Sequence, residues 1–226
     1  DGSFGGGTDD FYLQYTARLT FWAGSTNVRC LYSIRNTKTN TAAKVRRAAV
    51  SLSLAPGTRV KEYIVGAGEP HVSRLYGAGI EAEKSSQRHW VVRLEQRGPS
   101  RPILSVTDRA TFHMGTEFDE MGYRVLHEQP GPPTKRVRYV EAGEQCGGWL
   151  DLADGKGGCL VWLRAFTQNP LKTLRADATG RIDLDLIPEY DGDGQMFYAG
   201  GGFWLTHSAY RTYDLGFNFH GKPYTN

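Results

Sequence analysis

Polar and apolar residues alternate along most of this chain, most clearly between residues 149 and 188. Glycine-rich polar turns divide this stretch into short runs, a pattern typical of antiparallel strands with one buried face. Successive side chains of a strand point to opposite faces, so the run that begins at Cys159 has two unlike faces. One face is wholly apolar, while the other carries the indole of Trp162 beside the guanidinium of Arg164.

The same alternation recurs in other parts of the chain, and no stretch of twelve or more residues shows a helical period of 3.6. The clearest further runs are 11–21, 28–34, 45–54, 203–210 and 212–219. About a dozen strands with few or no helices predict an all-β fold, a two-layer antiparallel β-sandwich, with a closed barrel as the alternative.

Length and composition set the domain organisation. Residues 1–10 are polar and rich in glycine and are predicted to be a flexible lead-in. Residues 11–226 are predicted to form a single β-sandwich domain, because a chain of 226 residues can enclose one large β core.

Charge and hydropathy exclude some classes of partner. Charged residues are 23% of the chain and the net charge is +3, too mild a balance to indicate nucleic acid. No run of 18 apolar residues occurs, so no membrane span is predicted.

The three cysteines are Cys30, Cys146 and Cys159, and an odd number cannot pair completely within one chain. Either one disulfide forms and one thiol stays free, or all three are reduced. None belongs to a C-x-x-C motif, so the sequence predicts neither a zinc site nor a redox site.

Three tryptophans, Trp149, Trp162 and Trp204, are candidate ligand-binding residues together with Arg164. Sugar rings bind on exposed aromatic faces that have a few well-placed polar neighbours. The alternative is that these large side chains fill the space between the sheets.

Acidic residues give one weak metal candidate, and no other cofactor is predicted. Asp191 and Asp193 open a segment that resembles a calcium loop, but Met196 stands where such a loop has glycine, so a simple turn is favoured. Asp183 and Asp185 share one strand face, where they either bind a common cation or keep an outward face wet; the second is favoured.

Several motifs resemble, in the same order, the central β-sandwich domain of exo-acting rhamnogalacturonan lyases. They include Gly-Trp-Leu-Asp-Leu at 148–152 and Gly-Gly-Phe-Trp-Leu-Thr-His at 201–207, with further matches at 20–25, 28–29, 158–172, 186–188 and 215–219. The match extends over about 11–220. It departs from the family at Leu205, where a lysine is expected, and the sequence contains no counterpart of the family's helical toroid domain. The resemblance implies a carbohydrate context and a secreted protein, extracellular or periplasmic.

The leading hypothesis is therefore an accessory β-sandwich that binds an acidic polysaccharide and is not catalytic on its own. The first alternative is a polysaccharide lyase, which needs a cation for the uronate carboxylate, a base and an acid. His207, Tyr210 and Arg211 are the candidate catalytic residues, and His220 and Tyr213 are also of suitable type.

A third hypothesis is a structural or assembly protein. Such a β-sandwich would self-associate through its N-terminal arm or through its sheet edges.

Overall fold

The computed structural model of the chain describes residues 2–4, 13–55, 60–66, 73–76, 91–97, 122–129, 136–143, 146–166, 172–188 and 203–221. These residues form strands and turns and contain no helix. The strands are β1 (Gly2–Phe4), β2 (Leu13–Phe21), β3 (Asn27–Asn36), β4 (Ala43–Val45), β5 (Ala48–Ser53), β6 (Glu62–Val65), β7 (Ser73–Tyr76), β8 (Val91–Arg97), β9 (Gly122–Gln129), β10 (Arg136–Gly143), β11 (Trp149–Ala153), β12 (Gly158–Leu163), β13 (Thr173–Asp177), β14 (Arg181–Ile187), β15 (Phe203–Leu205) and β16 (Tyr210–His220).

Two antiparallel sheets pack against each other, which confirms the predicted all-β sandwich. The large sheet has eight strands in the order β1-β2-β3-β16-β12-β11-β6-β7. The small sheet has six strands in the order β10-β9-β8-β13-β14-β5, and β15 pairs with β4 as a separate two-stranded ribbon.

The first strand differs from the sequence prediction. Gly2–Phe4 pair antiparallel with β2, Gly2 standing opposite Tyr15, although a flexible lead-in was predicted over residues 1–10. Strand pairing uses backbone N–H and C=O groups, so a glycine-rich segment can pair without any alternation of side chains. Residues 5–10 lie outside the described part of the chain.

The core lies between the two sheets, on the side to which alternate residues point. On β12, Cys159, Val161 and Leu163 are buried, whereas Leu160 and Trp162 are only partly buried. Other fully buried side chains of the same core are Ile34, Leu150, Leu152, Leu174, Ile182, Leu184, Leu186 and Leu215.

All three cysteines are free thiols. Cys30 and Cys159 are buried in the core, and burial raises the pKa of the Cys159 thiol to about 12. Of the two states that the cysteine count left open, the structure has the reduced one.

The outer face of the small sheet carries a network of ion pairs. Asp185 accepts hydrogen bonds from Arg47 Nε at 2.6 Å and Arg175 Nη2 at 2.9 Å, and Asp183 accepts one from Ser51 Oγ at 2.5 Å. The two carboxylates are 2% and 8% exposed, so the favoured prediction that they keep this face wet is wrong. Arg47 and Arg175 cover the two carboxylates and supply the cationic partners that buried carboxylates require.

Lys172 is a buried lysine at the entrance to β13, only 1% exposed. Its Nζ donates hydrogen bonds to the carbonyl oxygens of Ala165 and Phe166, in the turn that follows β12. Burial, aided by the charge of Arg211, lowers the pKa of this amine to about 7, and Cys146 opposes the shift. The lysine therefore holds the turn that carries Arg164.

Replacing Lys172 by methionine should remove a pH dependence of stability. The amine titrates near 10.5 when unfolded and near 7 when folded, so between these pH values the unfolded state binds more protons. Wild-type stability therefore rises with pH in this window relative to Lys172→Met, by up to about 1.4 kcal/mol per pH unit, and the difference levels off as the pH falls through the folded pKa of about 7.

Urea denaturation of both proteins at several pH values from neutral to moderately alkaline measures this difference. Groups common to both proteins cancel in the comparison, and Lys61→Met, at an exposed lysine, controls for the loss of a lysine as such. A stability difference between wild type and Lys172→Met that stays constant above pH 7 would contradict a lowered pKa of the buried amine.

Candidate ligand-binding face

The outer face of the large sheet, on the side away from the core, carries two adjacent indoles. Trp149 on β11 and Trp162 on β12 stand directly opposite each other in the strand register. Both alternate with buried core residues, so both point outward, and both are partly exposed. We call this pair the indole platform.

Each indole lies against the backbone of a glycine on the next strand. A Cβ on Gly216 of β16 would stand only 2.5 Å from the ring of Trp162, and a Cβ on Gly66, beside the end of β6, would collide with the ring of Trp149. The two rings therefore extend in opposite directions: Trp162 lies over β16, and Trp149 lies over Gly66, just after the last residue of β6. Together they cover four neighbouring strands, a width of about 15 Å at 4.8 Å per strand spacing.

A charged cluster borders the platform on the side of β16 and β3. Arg29 stands opposite Gly216 in the register, and its Nε and Nη2 each donate a hydrogen bond of 2.8 Å to Asp214. The hydrogen bond from Arg29 is the main cause that lowers the pKa of Asp214 below its ordinary value, so this carboxylate is ionised at neutral pH.

Arg164 is a second guanidinium at the same carboxylate, but it is bound far more loosely. Its Nη1 lies 3.4 Å from Asp214 Oδ2, and its side chain is 73% exposed. Two guanidinium groups thus share one carboxylate, which leaves a net positive charge beside Trp162.

A histidine–aspartate pair lies further along the same face. His220 Nε2 is 2.7 Å from Asp151 Oδ1, and Asp151 is only 1% exposed. The imidazole lies over Gly158, where a Cβ would stand 2.5 Å from its Cε1. Asp151 is two residues from Trp149, about 7 Å by strand rise, so the pair borders the platform.

The residues that the sequence nominated for catalysis do not lie at the platform. His207 is exposed in the turn before β16, and Tyr210, 73% exposed, opens that strand six residues before Gly216, about 20 Å away by strand rise. Arg211 points to the opposite face, where its guanidinium carbon lies 5.2 Å from the centre of the Tyr213 ring.

The stretch 203–210 was predicted to be one strand, and this prediction is wrong. Ser208 adopts a left-handed conformation at φ 54°, and a turn divides β15 from β16. Trp204, the fourth predicted ligand-binding residue, belongs to β15, where it pairs with Lys44 of β4. That ribbon is separate from the large sheet, so the backbone of Trp204 does not join the strands that carry the platform.

The structure supplies site residues that sequence reasoning did not nominate: Arg29, Asp151 and Asp214. Asp151 interrupts the otherwise apolar strand β11 two residues from the candidate Trp149, and that interruption was an available signal. Asp214 lies in a strand that contains other polar residues, such as Thr212 and Asn218, so it carried no comparable signal. Arg29 carried no such signal, because it meets Asp214 across 185 residues of sequence.

Asp191 and Asp193, the predicted calcium candidates, lie outside the described residues. Within the described residues, no group of three or more His, Cys, Asp or Glu side chains is arranged to hold a metal ion. The same residues include no helix with the length and hydropathy needed to cross a membrane.

No protein-family model matches the chain, and no curated protein matches it significantly. The resemblance to exo-acting rhamnogalacturonan lyases therefore stays a prediction.

Replacing Gly216 by alanine should disturb the platform. The new methyl group would overlap the Trp162 ring, and such overpacking costs about 1–3 kcal/mol or forces the ring outward. Gly221→Ala is the matched control, since a Cβ there meets no atom within 4 Å. Urea denaturation and a crystal structure of each variant measure the cost and the ring position; an unmoved Trp162 at unchanged stability would contradict the close contact.

Proposed function

We propose that this chain is a carbohydrate-binding β-sandwich that acts as an accessory module and binds an acidic polysaccharide on its indole platform. The observation that supports this most directly is the pairing of Trp149 with Trp162 on an outward face. Secretion to the extracellular space or periplasm belongs to the same proposal.

The platform suits a sugar chain because of its shape. The indoles form a broad apolar surface anchored on glycine backbone, and binding sites for small molecules combine such apolar surfaces with a few placed polar groups. A sugar ring has an apolar C–H face that can stack on an indole, while its hydroxyl groups reach the polar border.

The border favours an acidic sugar. A guanidinium carries five N–H donors, and within the described part of the chain the side chain of the exposed Arg164 makes only a long contact, with Asp214. A uronate carboxylate can accept the remaining donors in a two-point, charge-assisted geometry. Arg29 already donates hydrogen bonds from Nε and Nη2 to the carboxylate of Asp214. Arg164 is therefore the residue proposed to contact the carboxylate of the sugar.

Affinity electrophoresis against polygalacturonate and against its methyl ester tests the binding proposal. Trp162→Ala should reduce retardation by both polymers at least about tenfold, the equivalent of 1.4 kcal/mol, because the stacking surface is lost. Arg164→Gln should reduce retardation by the acid form several-fold and leave the ester form little changed.

Arg35→Gln is the matched control for the arginine variant. Arg35 is an exposed arginine on the same sheet face, six residues from Arg29 along β3 and about 20 Å away by strand rise. If none of a panel of acidic and neutral glycans retards the wild-type protein, the proposed function is wrong.

A polysaccharide lyase remains the second candidate, favoured by the contact between His220 and Asp151 beside the platform. In such a reaction a base removes the proton next to the uronate carboxylate, a C=C bond forms, and the glycosidic C–O bond breaks as an acid protonates its oxygen. His220, held by Asp151, would transfer the proton. Arg164 does not serve the same carboxylate, because its partner Asp214 lies six residues from His220 along β16, about 20 Å by strand rise.

The absorbance of the unsaturated uronide product tests this candidate. We expect His220→Gln to abolish any increase in absorbance on rhamnogalacturonan or polygalacturonate, and His207→Gln to leave it unchanged. A flat trace for the wild-type protein on all pectic substrates would exclude the lyase, and loss of activity in His207→Gln alone would exclude the role of His220.

A further inference from the structure

Large exposed hydrophobic side chains gather at one end of the large sheet. Five such side chains are exposed in the described part of the chain, and four of them share this end: Leu19 at 55%, Phe21 at 68%, Trp22 at 48% and Phe219 at 38%. The fifth, Tyr210, lies at the opposite end of β16. We call the four residues the apolar end patch.

Three residues of the apolar end patch, Leu19, Phe21 and Phe219, continue the core side of the large sheet, and Trp22 follows Phe21 just after the end of β2. Leu19 and Phe21 lie on the same face of β2 as the buried Leu13, and exposure increases along the strand toward Phe21. Val28, which pairs with Phe21, also packs against the core. The core face of the large sheet thus extends into a region where it is open to solvent.

The apolar end patch carries no charge. The β2–β3 hairpin from Leu19 to Val28 contains no Asp, Glu, Lys or Arg. The centres of protein–protein interfaces are similarly depleted in charged residues and enriched in aromatic ones. In a two-fold dimer the same surface meets itself, so a charged patch would repel its copy, whereas this one would not.

The size of the patch also fits a dimer. A large aromatic side chain has a surface of roughly 150–250 Å², so the exposed fractions of the four side chains add up to roughly 400 Å² of apolar area. This area is as large as the largest apolar patch on a typical monomer. Interfaces bury roughly 800 Å² per partner and are somewhat more than half apolar, so the four residues would supply most of the apolar half.

We propose that the apolar end patch is the interface of a homodimer, in which two copies of this chain bury Leu19, Phe21, Trp22 and Phe219 against each other around a two-fold axis. Leu19, Phe21 and Phe219 lie on the core face of the large sheet, whereas the indole platform is on the outer face. Both platforms of the dimer therefore remain open. A polymer with repeated binding sites would then be bound by two platforms at once, which raises the apparent affinity without any new contact.

Sedimentation velocity of the full chain over a wide concentration range tests the proposal. The wild-type protein should move from monomer to dimer as concentration rises. Phe21→Asp and Phe21→Lys should each stay monomeric, because each places like charges close together at the interface. Since Phe21 is exposed, neither change should unfold the chain, and far-UV circular dichroism verifies this.

Mixing the two variants is the sharper test. In the proposed dimer Phe21, the most exposed residue of the apolar end patch, lies next to the two-fold axis. An equimolar mixture of Phe21→Asp and Phe21→Lys should therefore recover dimers, since opposite charges then face each other across that axis. Tyr210→Asp is the matched control, an equally polar change at an exposed aromatic residue at the other end of the sheet, and should dimerise like the wild type.

Three results would overturn the proposal. The first is a wild-type protein that remains monomeric at every concentration, whether or not the patch binds another molecule such as a glycan. The second is dimerisation that persists unchanged in both Phe21 variants. The third is a mixture that stays monomeric. None of these results bears on glycan binding by the indole platform, which is measured separately.

Discussion

Contact between the apolar faces of the two sheets determines which side chains are left for function. Leu215 and Phe217 of β16 are held in the core, so Asp214 and Gly216 must point outward. The same constraint on β12 turns Trp162 outward, because Val161 and Leu163 are fully buried. A shift of one residue in strand register would bury the indole and expose the valine, so core packing and platform geometry are specified together.

Contacts outside the core position the side chains of the platform and its charged border. Gly216 gives the Trp162 ring room to lie over the neighbouring strand, and Asp214, two residues earlier on the same outward face, binds Arg29 of β3. Lys172 then fixes the turn that carries Arg164 by donating to its backbone carbonyls. Indole, guanidinium and carboxylate thus meet because three neighbouring strands, β3, β16 and β12, are in one register.

The fold could be predicted from the sequence because alternation is a local property. The alternating residues of β12, β14 and β16 identified strands and their apolar faces, and placed Trp162 and Arg164 together on one face of β12, without any knowledge of their neighbours. Strand order is not local, so the meeting of Arg29 with Asp214 and of Trp162 with Gly216 could not be predicted. The turn at Ser208 was missed for a related reason, since a non-glycine residue at positive φ leaves little trace in composition.

The close seating of the two indoles has a consequence for how tightly a ligand can be held. A tryptophan that rotates freely in solvent loses conformational entropy when a ligand immobilises it, and that loss weakens binding. Trp149 and Trp162 have already lost much of this freedom on folding, because each ring rests on a glycine backbone. The entropic penalty is therefore met when the protein folds, and the surface meets its ligand pre-organised.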